Sequence, residues 1–355
     1  MTDRPLRRSR GGRSRVVPGV VAVLVVVLVT GVGVVLVRRA SRSSELAAPI
    51  DAPMVESPTT PTTVSRIAEL ASPDHPSAVG VRTMTLTDLT RGTASRGDRP
   101  PLSTRPLQVT VRYPIAAFPS DAEFPDAPAV APAPLVLFAH GFDISAERYS
   151  ALTHDLASFG FVVVAPEFPM SSTVFEGAPD EFDLPEQSRD LSFLITALTG
   201  PDAPAEVAGL IAPGPVGLVG HSDGAVTVLL TAYAPRFADP RVGAVVAVSG
   251  DFDTFGGSWF STYDPPLIAV HGEWDEINPF YSSQELVDND PGWAMLVAVR
   301  SATHLAAVVD PANEPAVARL VGFDLLWRLT GSSSAEISTY DTANTPPLSV
   351  VDSHE

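Results

Sequence analysis

The chain has 355 residues, of which 45% are hydrophobic and 18% charged, and it carries a formal charge of −18 without a single cysteine. This apolar content is too high for a disordered protein, and the length suits one large α/β domain with additional segments, or two small domains. The lack of cysteine excludes disulfides, cysteine nucleophiles and thiolate metal sites.

Charge is divided unevenly along the chain. The first 42 residues contain nine arginines and a single acid, Asp3, which gives this segment a charge of +8. The remaining residues contain 14 arginines and 40 acids, a charge of −26. Because phosphate groups repel so acidic a body, the composition argues against nucleic acid as a partner and against recruitment to anionic lipid surfaces.

An uncharged, mostly aliphatic run of 22 residues occupies positions 16–37. As a helix it would be about 33 Å long, which matches a hydrocarbon layer of about 30 Å. Six arginines precede the run and three follow it, so we predict a transmembrane signal anchor with residues 1–15 in the cytoplasm and the rest of the chain outside. The alternative is a cleaved signal peptide and a secreted protein, although arginines directly after the run are a poor cleavage context.

Residues 78–330 are predicted to fold, and both flanks of this domain differ from it in composition. Residues 38–77 are rich in Ala, Pro, Ser and Thr, which is typical of an extended linker. Residues 331–355 are polar and acidic, and we expect a disordered tail.

Strand-like and helix-like segments alternate through the predicted domain. Residues 81–86 and 107–113 alternate in hydrophobicity as antiparallel edge strands do. Short apolar runs, typical of strands buried on both faces, lie at 135–138, 161–165, 216–219, 242–248, 267–270 and 294–299. Helix-like segments lie at 149–159, 187–198, 225–233, 281–287 and 315–329. This order predicts an α/β fold with a mostly parallel central sheet and helices on both faces, which binds ligands at the carboxyl ends of its strands.

Residues 220–224, Gly-His-Ser-Asp-Gly, directly follow one buried strand and directly precede a helix-like stretch. Gly-x-Ser-x-Gly in a strand–turn–helix context is typical of a nucleophile elbow, whose sharp turn exposes the serine hydroxyl at a helix N-terminus. The alternative is a glycine-rich turn that contains a serine by chance. We predict that Ser222 is a nucleophile.

A serine nucleophile requires a base and a carboxylate that orients the base. Among the seven histidines, His304 lies shortly after the last predicted parallel strand, at the sheet edge where Ser222 lies. Asp275 follows the preceding strand and completes the chain order Ser, Asp, His that is typical of this arrangement. Four other acids near these strand ends are alternatives to Asp275: Asp251, Asp253, Glu273 and Glu276.

Negative charge that develops on a carbonyl oxygen requires backbone amide donors. The amide of Asp223 follows the nucleophile, and the amide of Phe142 belongs to the loop after the first buried strand. We predict that these two amides form an oxyanion hole, with Gly141 allowing the loop to approach the site. An ordinary tight turn is the alternative for this loop.

The connection between residues 248 and 267 is too short for a helical cap, so we expect an open site. Four aromatic residues are candidate substrate contacts, with core packing as the alternative for each: Phe168, Phe175, Trp259 and Trp274. The pattern indicates no metal and no organic cofactor.

Over residues 79–329 the chain resembles the α/β-hydrolase branch that holds bacterial predicted dienelactone hydrolases and platelet-activating-factor acetylhydrolases, with chlorophyllases and cutinase-type polyester hydrolases as relatives. The similarity is carried by the elbow and by segments 80–88, 111–114, 139–142, 156–163 and 188–194. It implies an α/β-hydrolase fold without a large cap, and it implies the same roles for the five site residues. Asp223 stands where relatives often carry Met, Phe, Gln or Leu. The missing cysteine argues against dienelactone hydrolysis, whose enzymes use a cysteine nucleophile.

These features predict a serine ester hydrolase, carboxylesterase- or lipase-like, that acts through an acyl-enzyme on a neutral short- or medium-chain ester of lipid, acetyl or polyester type. The alternatives are a cell-envelope acyltransferase with the same residues and a non-catalytic binding protein on the same fold. The expected partners are a small-molecule or polymer ester and, through the N-terminal helix, the cell membrane.

Overall fold

The computed structural model describes residues 72–252, 260 and 265–354. The predicted basic N-terminus (1–15), the predicted membrane helix (16–37) and most of the predicted linker (38–77) lie outside these residues. Within the described part, no helix combines the length and the apolar character that a membrane span requires.

A ten-stranded mixed sheet forms the centre of the described part. Its strands are β1 (Ala78–Asp88), β2 (Arg105–Ile115), β3 (Glu123–Pro125), β4 (Leu135–Ala139), β5 (Val162–Glu167), β6 (Val216–His221), β7 (Val242–Val248), β8 (Leu267–Gly272), β9 (Ala294–Val299) and β10 (Leu348–His354). They are arranged in the order β10-β9-β8-β7-β6-β4-β5-β2-β1-β3. The six strands from β9 to β5 in this order are parallel, whereas β2 pairs antiparallel with both β1 and β5. The predicted α/β architecture with antiparallel N-terminal strands is confirmed.

The parallel strands are buried because helices cover both faces of the sheet. The helices are α1 (Ser150–Ser158), α2 (Leu184–Thr199), α3 (Asp223–Tyr233), α4 (Phe280–Asn289), α5 (Ala306–Val309), α6 (Glu314–Thr330) and α7 (Ser333–Ala343). The apolar side chains of α2 and α3 pack with one face of the sheet, and those of α1 and α6 pack with the other. Every residue of β4, β6, β8 and β9 is buried, as continuous apolar runs predict for strands covered on both sides.

The predicted tail is a folded part of the domain, which corrects the expectation of disorder for residues 331–355. Gly331 ends α6 in the left-handed conformation, and the Ser332 side chain accepts a hydrogen bond from the Ala335 amide at the start of α7. Strand β10 then pairs antiparallel with β9 and closes that edge of the parallel sheet. The polar composition reflects a short helix and an edge strand that each expose one side to water.

Four loops that carry predicted site residues leave the carboxyl ends of parallel strands. Phe142 follows β4 by three residues, Ser222 follows β6, Asp275 follows β8 by three residues, and His304 follows β9 by five. Because all four strands run parallel, these loops share one edge of the sheet, with only β7 between β6 and β8. Ligands bind at this edge in folds of this class.

Candidate active site

Ser222 occupies a sharp turn between β6 and α3, with φ = 58° and ψ = −125°. A Cβ atom at Gly220 would lie 2.1 Å from the carbonyl oxygen of Gly224, and one at Gly224 would lie 2.1 Å from that of Ala139. Only glycine therefore fits at these two positions. The surrounding backbone holds the serine in a conformation that is rare for residues other than glycine, as in a nucleophile elbow.

The side chains of Ser222, His304 and Asp275 form a hydrogen-bonded series. Nε2 of His304 lies 3.0 Å from Oγ of Ser222. On the other side of the ring, Nδ1 lies 2.8 Å from Oδ2 and 3.1 Å from Oδ1 of Asp275. The carboxylate accepts a hydrogen bond from Nδ1–H, so Nε2 of the neutral ring is left to accept a hydrogen bond from the serine hydroxyl.

The Asp275 carboxylate is buried and held by four neighbours. Besides His304, it accepts hydrogen bonds from the amides of Ile277 and Asn278, and Nε2 of His271 lies 3.2 Å from Oδ2. Burial alone would raise its pKa, but the hydrogen bonds from His271, His304 and the two amides outweigh burial and hold the pKa well below its usual range. The group stays ionised, as an acceptor for the His304 ring must be.

Two acids that were alternatives to Asp275 bind backbone amides of the loop that carries His304, and they do not contact the His304 ring. Oε2 of Glu273 accepts from the Ser301 amide, and Oε2 of Glu276 accepts from the His304 amide, both at 3.1 Å. A third alternative, Asp251, lies 3.4 Å from the Ser282 hydroxyl. The fourth, Asp253, lies outside the described residues.

The loop after β4 lies directly against the candidate nucleophile. A Cβ atom at Gly141 would be 3.1 Å from Cβ of Ser222. His140 anchors this loop, because its Nδ1 donates to the Gly141 carbonyl at 2.7 Å and its Nε2 accepts from the Phe168 amide at 3.0 Å. Burial lowers the pKa of His140 to about 4, so the ring is neutral and holds both contacts at ordinary pH.

The two candidate oxyanion donors are the backbone amides of Phe142 and Asp223. Phe142 belongs to the loop that contacts the serine, and the residue is 37% exposed. Asp223 is the first residue of α3, where backbone amides have no acceptor within their own helix. Both amides stay predicted donors to a developing negative charge.

The Asp223 side chain brings a carboxyl group beside the candidate nucleophile. Within the described part of the chain, its Oδ2 is buried and has no hydrogen-bond partner. Burial, followed by the charge of Glu181, raises its pKa to about 6. The group is therefore negatively charged above that pH and neutral below it.

The predicted aromatic contacts occupy four different environments. Phe168 is fully buried and packs on the His140 ring with 4.9 Å between centroids, so it is a core residue and not part of an open wall. Phe175 is half-buried with the Arg99 guanidinium over its ring. Trp274 is 65% exposed beside Asp275. Trp259 lies outside the described residues.

Within the described ranges, no three His, Asp or Glu side chains lie close enough together to bind a metal ion.

Known proteins resemble the chain in sequence and in fold. Residues 125–250 match the family model of chlorophyllase. No curated protein matches the chain significantly. Among solved structures, a ferulic acid esterase from Streptomyces cinnamoneus superposes with a TM-score of 0.58 and 19% identity, over 80% of this chain and 99% of that one.

The family model matches about a third of the chain, and the superposition shows that the chain shares the fold of that esterase. As many as 910 chains of solved structures match this fold, so the fold by itself does not select a substrate.

Proposed function

We propose that the protein is a serine ester hydrolase with Ser222 as nucleophile, His304 as general base and Asp275 as the group that orients the base. The single observation that carries the proposal is the position of the His304 ring, 3.0 Å from the serine hydroxyl and 2.8 Å from the aspartate carboxylate. The likeness to esterase-like proteins supports ester hydrolysis as the reaction class.

Acylation follows from this geometry. Oγ of Ser222 attacks the ester carbonyl carbon while its proton passes to Nε2 of His304, and the carbonyl oxygen becomes an oxyanion that accepts from the amides of Phe142 and Asp223. The imidazolium is stabilised by the Asp275 carboxylate. Collapse of the tetrahedral intermediate breaks the bond to the alcohol oxygen, which takes the proton from His304 and leaves.

Deacylation repeats these steps with water. His304 removes a proton from a water molecule, whose oxygen attacks the acyl-enzyme carbonyl. The second tetrahedral intermediate collapses, the bond to Oγ of Ser222 breaks, and His304 returns the proton to the serine. The products are the free acid and the unchanged enzyme.

The charge of the site supports a neutral ester as substrate. Asp223 is negatively charged above pH 6, and Glu181 adds a second negative charge near it. An acid group on the substrate beside the scissile bond would be repelled by both. We therefore propose a neutral short- or medium-chain ester.

The proposal is tested by fluorophosphonate labelling and by turnover of a short-chain aryl ester, with wild type, Ser222→Ala and Ser120→Ala. Ser120 lies in an exposed loop and serves as the matched control. We expect both the label and turnover in wild type and Ser120→Ala, and neither in Ser222→Ala. An unlabelled wild type, or a Ser222→Ala variant as active as wild type, would contradict the proposal. Product analysis with an added alcohol distinguishes hydrolysis from acyl transfer.

We also propose that the domain is tethered to the cell membrane and lies outside the cytoplasm. The uncharged run at 16–37 and the arginines that flank it support this proposal. Deletion of residues 1–42 should release soluble, active enzyme from membranes. A mature N-terminus beyond residue 37 in protein recovered from the medium would instead indicate a cleaved signal peptide.

A further inference from the structure

Tyr149 and His221 form a hydrogen-bonded link beneath the site. The Tyr149 hydroxyl oxygen lies 3.3 Å from the Gly141 amide nitrogen and 2.9 Å from Nδ1 of His221. Nε2 of His221 lies 3.0 Å from the carbonyl oxygen of His304. One series of hydrogen bonds therefore joins the loop that carries Phe142 to the backbone of the candidate base.

The ends of this link determine its direction. The His304 carbonyl can only accept, so Nε2 of His221 carries the ring proton and Nδ1 accepts from the Tyr149 hydroxyl. The hydroxyl oxygen is then free to accept from the Gly141 amide. This arrangement uses a neutral His221, since a proton on Nδ1 would take away the acceptor of the Tyr149 hydroxyl proton.

Burial keeps both side chains in the protonation states that the link requires. Tyr149 and His221 are each 1% exposed. Burial lowers the pKa of His221 to about 3 and raises the pKa of the Tyr149 phenol above its ordinary value. Both side chains are therefore neutral around neutral pH, as the link requires.

The link spans the two parts of the site that must hold a fixed position relative to Ser222. His221 directly precedes the serine, and its ring packs on the His304 ring with 4.7 Å between centroids. Resting on the proposed function, we infer that Tyr149 and His221 are positioning residues that hold the oxyanion loop and His304 in register with the nucleophile. Displacement of a reacting group by about 1 Å costs as much as about a hundredfold in rate.

Substitutions of His221 separate its two contacts. The amide group of asparagine falls near the Nδ1 position and that of glutamine near the Nε2 position. His221→Asn therefore retains a partner for Tyr149, and His221→Gln retains a donor to the His304 carbonyl. Tyr149→Phe removes the hydroxyl and both of its contacts. Tyr113→Phe is the matched control, since Tyr113 is also fully buried and donates to the Ala127 carbonyl at 2.7 Å.

The test compares kcat, KM and thermal unfolding of these variants with an aryl ester. We expect kcat to fall about tenfold in Tyr149→Phe and at least as much in His221→Asn, with KM within about twofold of wild type. His221→Gln should retain more activity than His221→Asn, and Tyr113→Phe should keep the wild-type kcat. In the double variant Tyr149→Phe/His221→Asn the two losses should not multiply, because both break the same link.

The inference is wrong if kcat falls as much in Tyr113→Phe as in Tyr149→Phe. It is also wrong if the decrease in kcat across the variants is proportional to the decrease in melting temperature, or if the two decreases in kcat multiply in the double variant. Failure of the proposed function looks different. In that case the wild type itself neither hydrolyses the ester nor reacts at Ser222 with a fluorophosphonate.

Discussion

Glu276 accepts a hydrogen bond from the backbone amide of His304 at 3.1 Å, one residue along the chain from the aspartate that holds the ring of the same histidine. The candidate base is thus held at its ring by Asp275 and at its backbone by Glu276. Glu273 adds a contact to the Ser301 amide at the start of the same loop. One short acidic segment after β8 therefore orients the whole loop of the base.

Removal of the Asp275 charge should reduce catalysis far more than removal of the Glu276 contact. In Asp275→Asn the amide no longer stabilises the imidazolium and favours the wrong tautomer of His304, so we expect kcat to fall by about 10³- to 10⁴-fold. In Glu276→Ala we expect kcat to fall about fivefold to tenfold, which corresponds to the loss of one hydrogen bond. Glu276→Gln keeps an oxygen acceptor and serves as control, with activity near wild type. Equal losses in Asp275→Asn and Glu276→Ala would contradict this ranking.

The loops that meet at the site could be predicted from the sequence because strand order determines them. Ser222, Asp275 and His304 each follow a buried apolar run, and parallel strands bring such positions to one sheet edge. The contacts of Glu276 and Tyr149 could not be predicted in this way. They depend on loop conformation and on side-chain directions, which leave no periodic pattern in the sequence.

Two predictions from the sequence were wrong: the disordered tail at residues 331–355 and the substrate contact at Phe168. Helix α7 buries mainly small side chains such as Ala335 and Ala343, and these give no strong apolar period. Phe168 follows β5 at the active edge, which suggested a pocket wall, but its ring turns inward onto His140. In both cases the deciding factor is which neighbour covers the residue, and a single sequence does not contain this information.

The Asp223 carboxyl group should make the enzyme select against acidic esters in a pH-dependent way. Its pKa of about 6, raised by burial, means that it is neutral below pH 6 and repels anions above it. In Asp223→Asn we expect kcat/KM for an anionic aryl ester to rise about tenfold at pH 8, and much less at pH 5. The measurement uses a matched neutral ester, whose kcat/KM should change less than about twofold.

Asp202→Asn is the control for this prediction, because Asp202 is exposed in the turn after α2. The same gain on the anionic ester in Asp202→Asn would indicate an effect of overall charge and not of Asp223. A gain that is equal at pH 5 and pH 8 would contradict the titration of this group.

Glu314 should make the domain less stable at alkaline pH. It begins α6 with 5% exposure, and in the described part of the chain its Oε1 has no hydrogen-bond partner. Burial, followed by the charge of Asp155, raises its pKa to about 8 from a value of 4.5. The folded state therefore favours the protonated carboxyl group of Glu314. The stability that this group contributes is full below pH 4.5 and is lost as the pH rises through 8.

Glu314→Gln removes this titration and should be more stable than wild type at pH 9, by on the order of a few kcal/mol. The difference should shrink as the pH falls toward 5. Thermal unfolding at both pH values measures it, with the exposed Glu285→Gln as control. A stabilisation that is independent of pH, or one shared by Glu285→Gln, would rule out the ionisation of Glu314 as its cause.

The C-terminal segment should be required for stability, because its contacts lie in the core. Leu348 is 1% exposed at the start of β10, and Tyr340 of α7 packs its ring 5.9 Å from that of Trp327 in α6. Leu348→Ala should lower the free energy of unfolding by about 2–5 kcal/mol, as for other buried leucines. Ile337→Ser, at a position that is 64% exposed, should leave it nearly unchanged. Denaturant unfolding measures both values. If the tail were disordered, neither substitution would change the free energy of unfolding.

Deletion of residues 331–355 extends this test to the sheet. Without β10, the backbone groups of β9 that now pair with it are left unpaired along an apolar edge. We therefore expect the truncated protein to aggregate or to unfold at a lower temperature, as measured by light scattering and calorimetry. Since His304 follows β9 by five residues, esterase activity should fall as this edge loosens. A truncated protein that is monomeric, as stable as wild type and fully active would show that β10 contributes nothing to the domain.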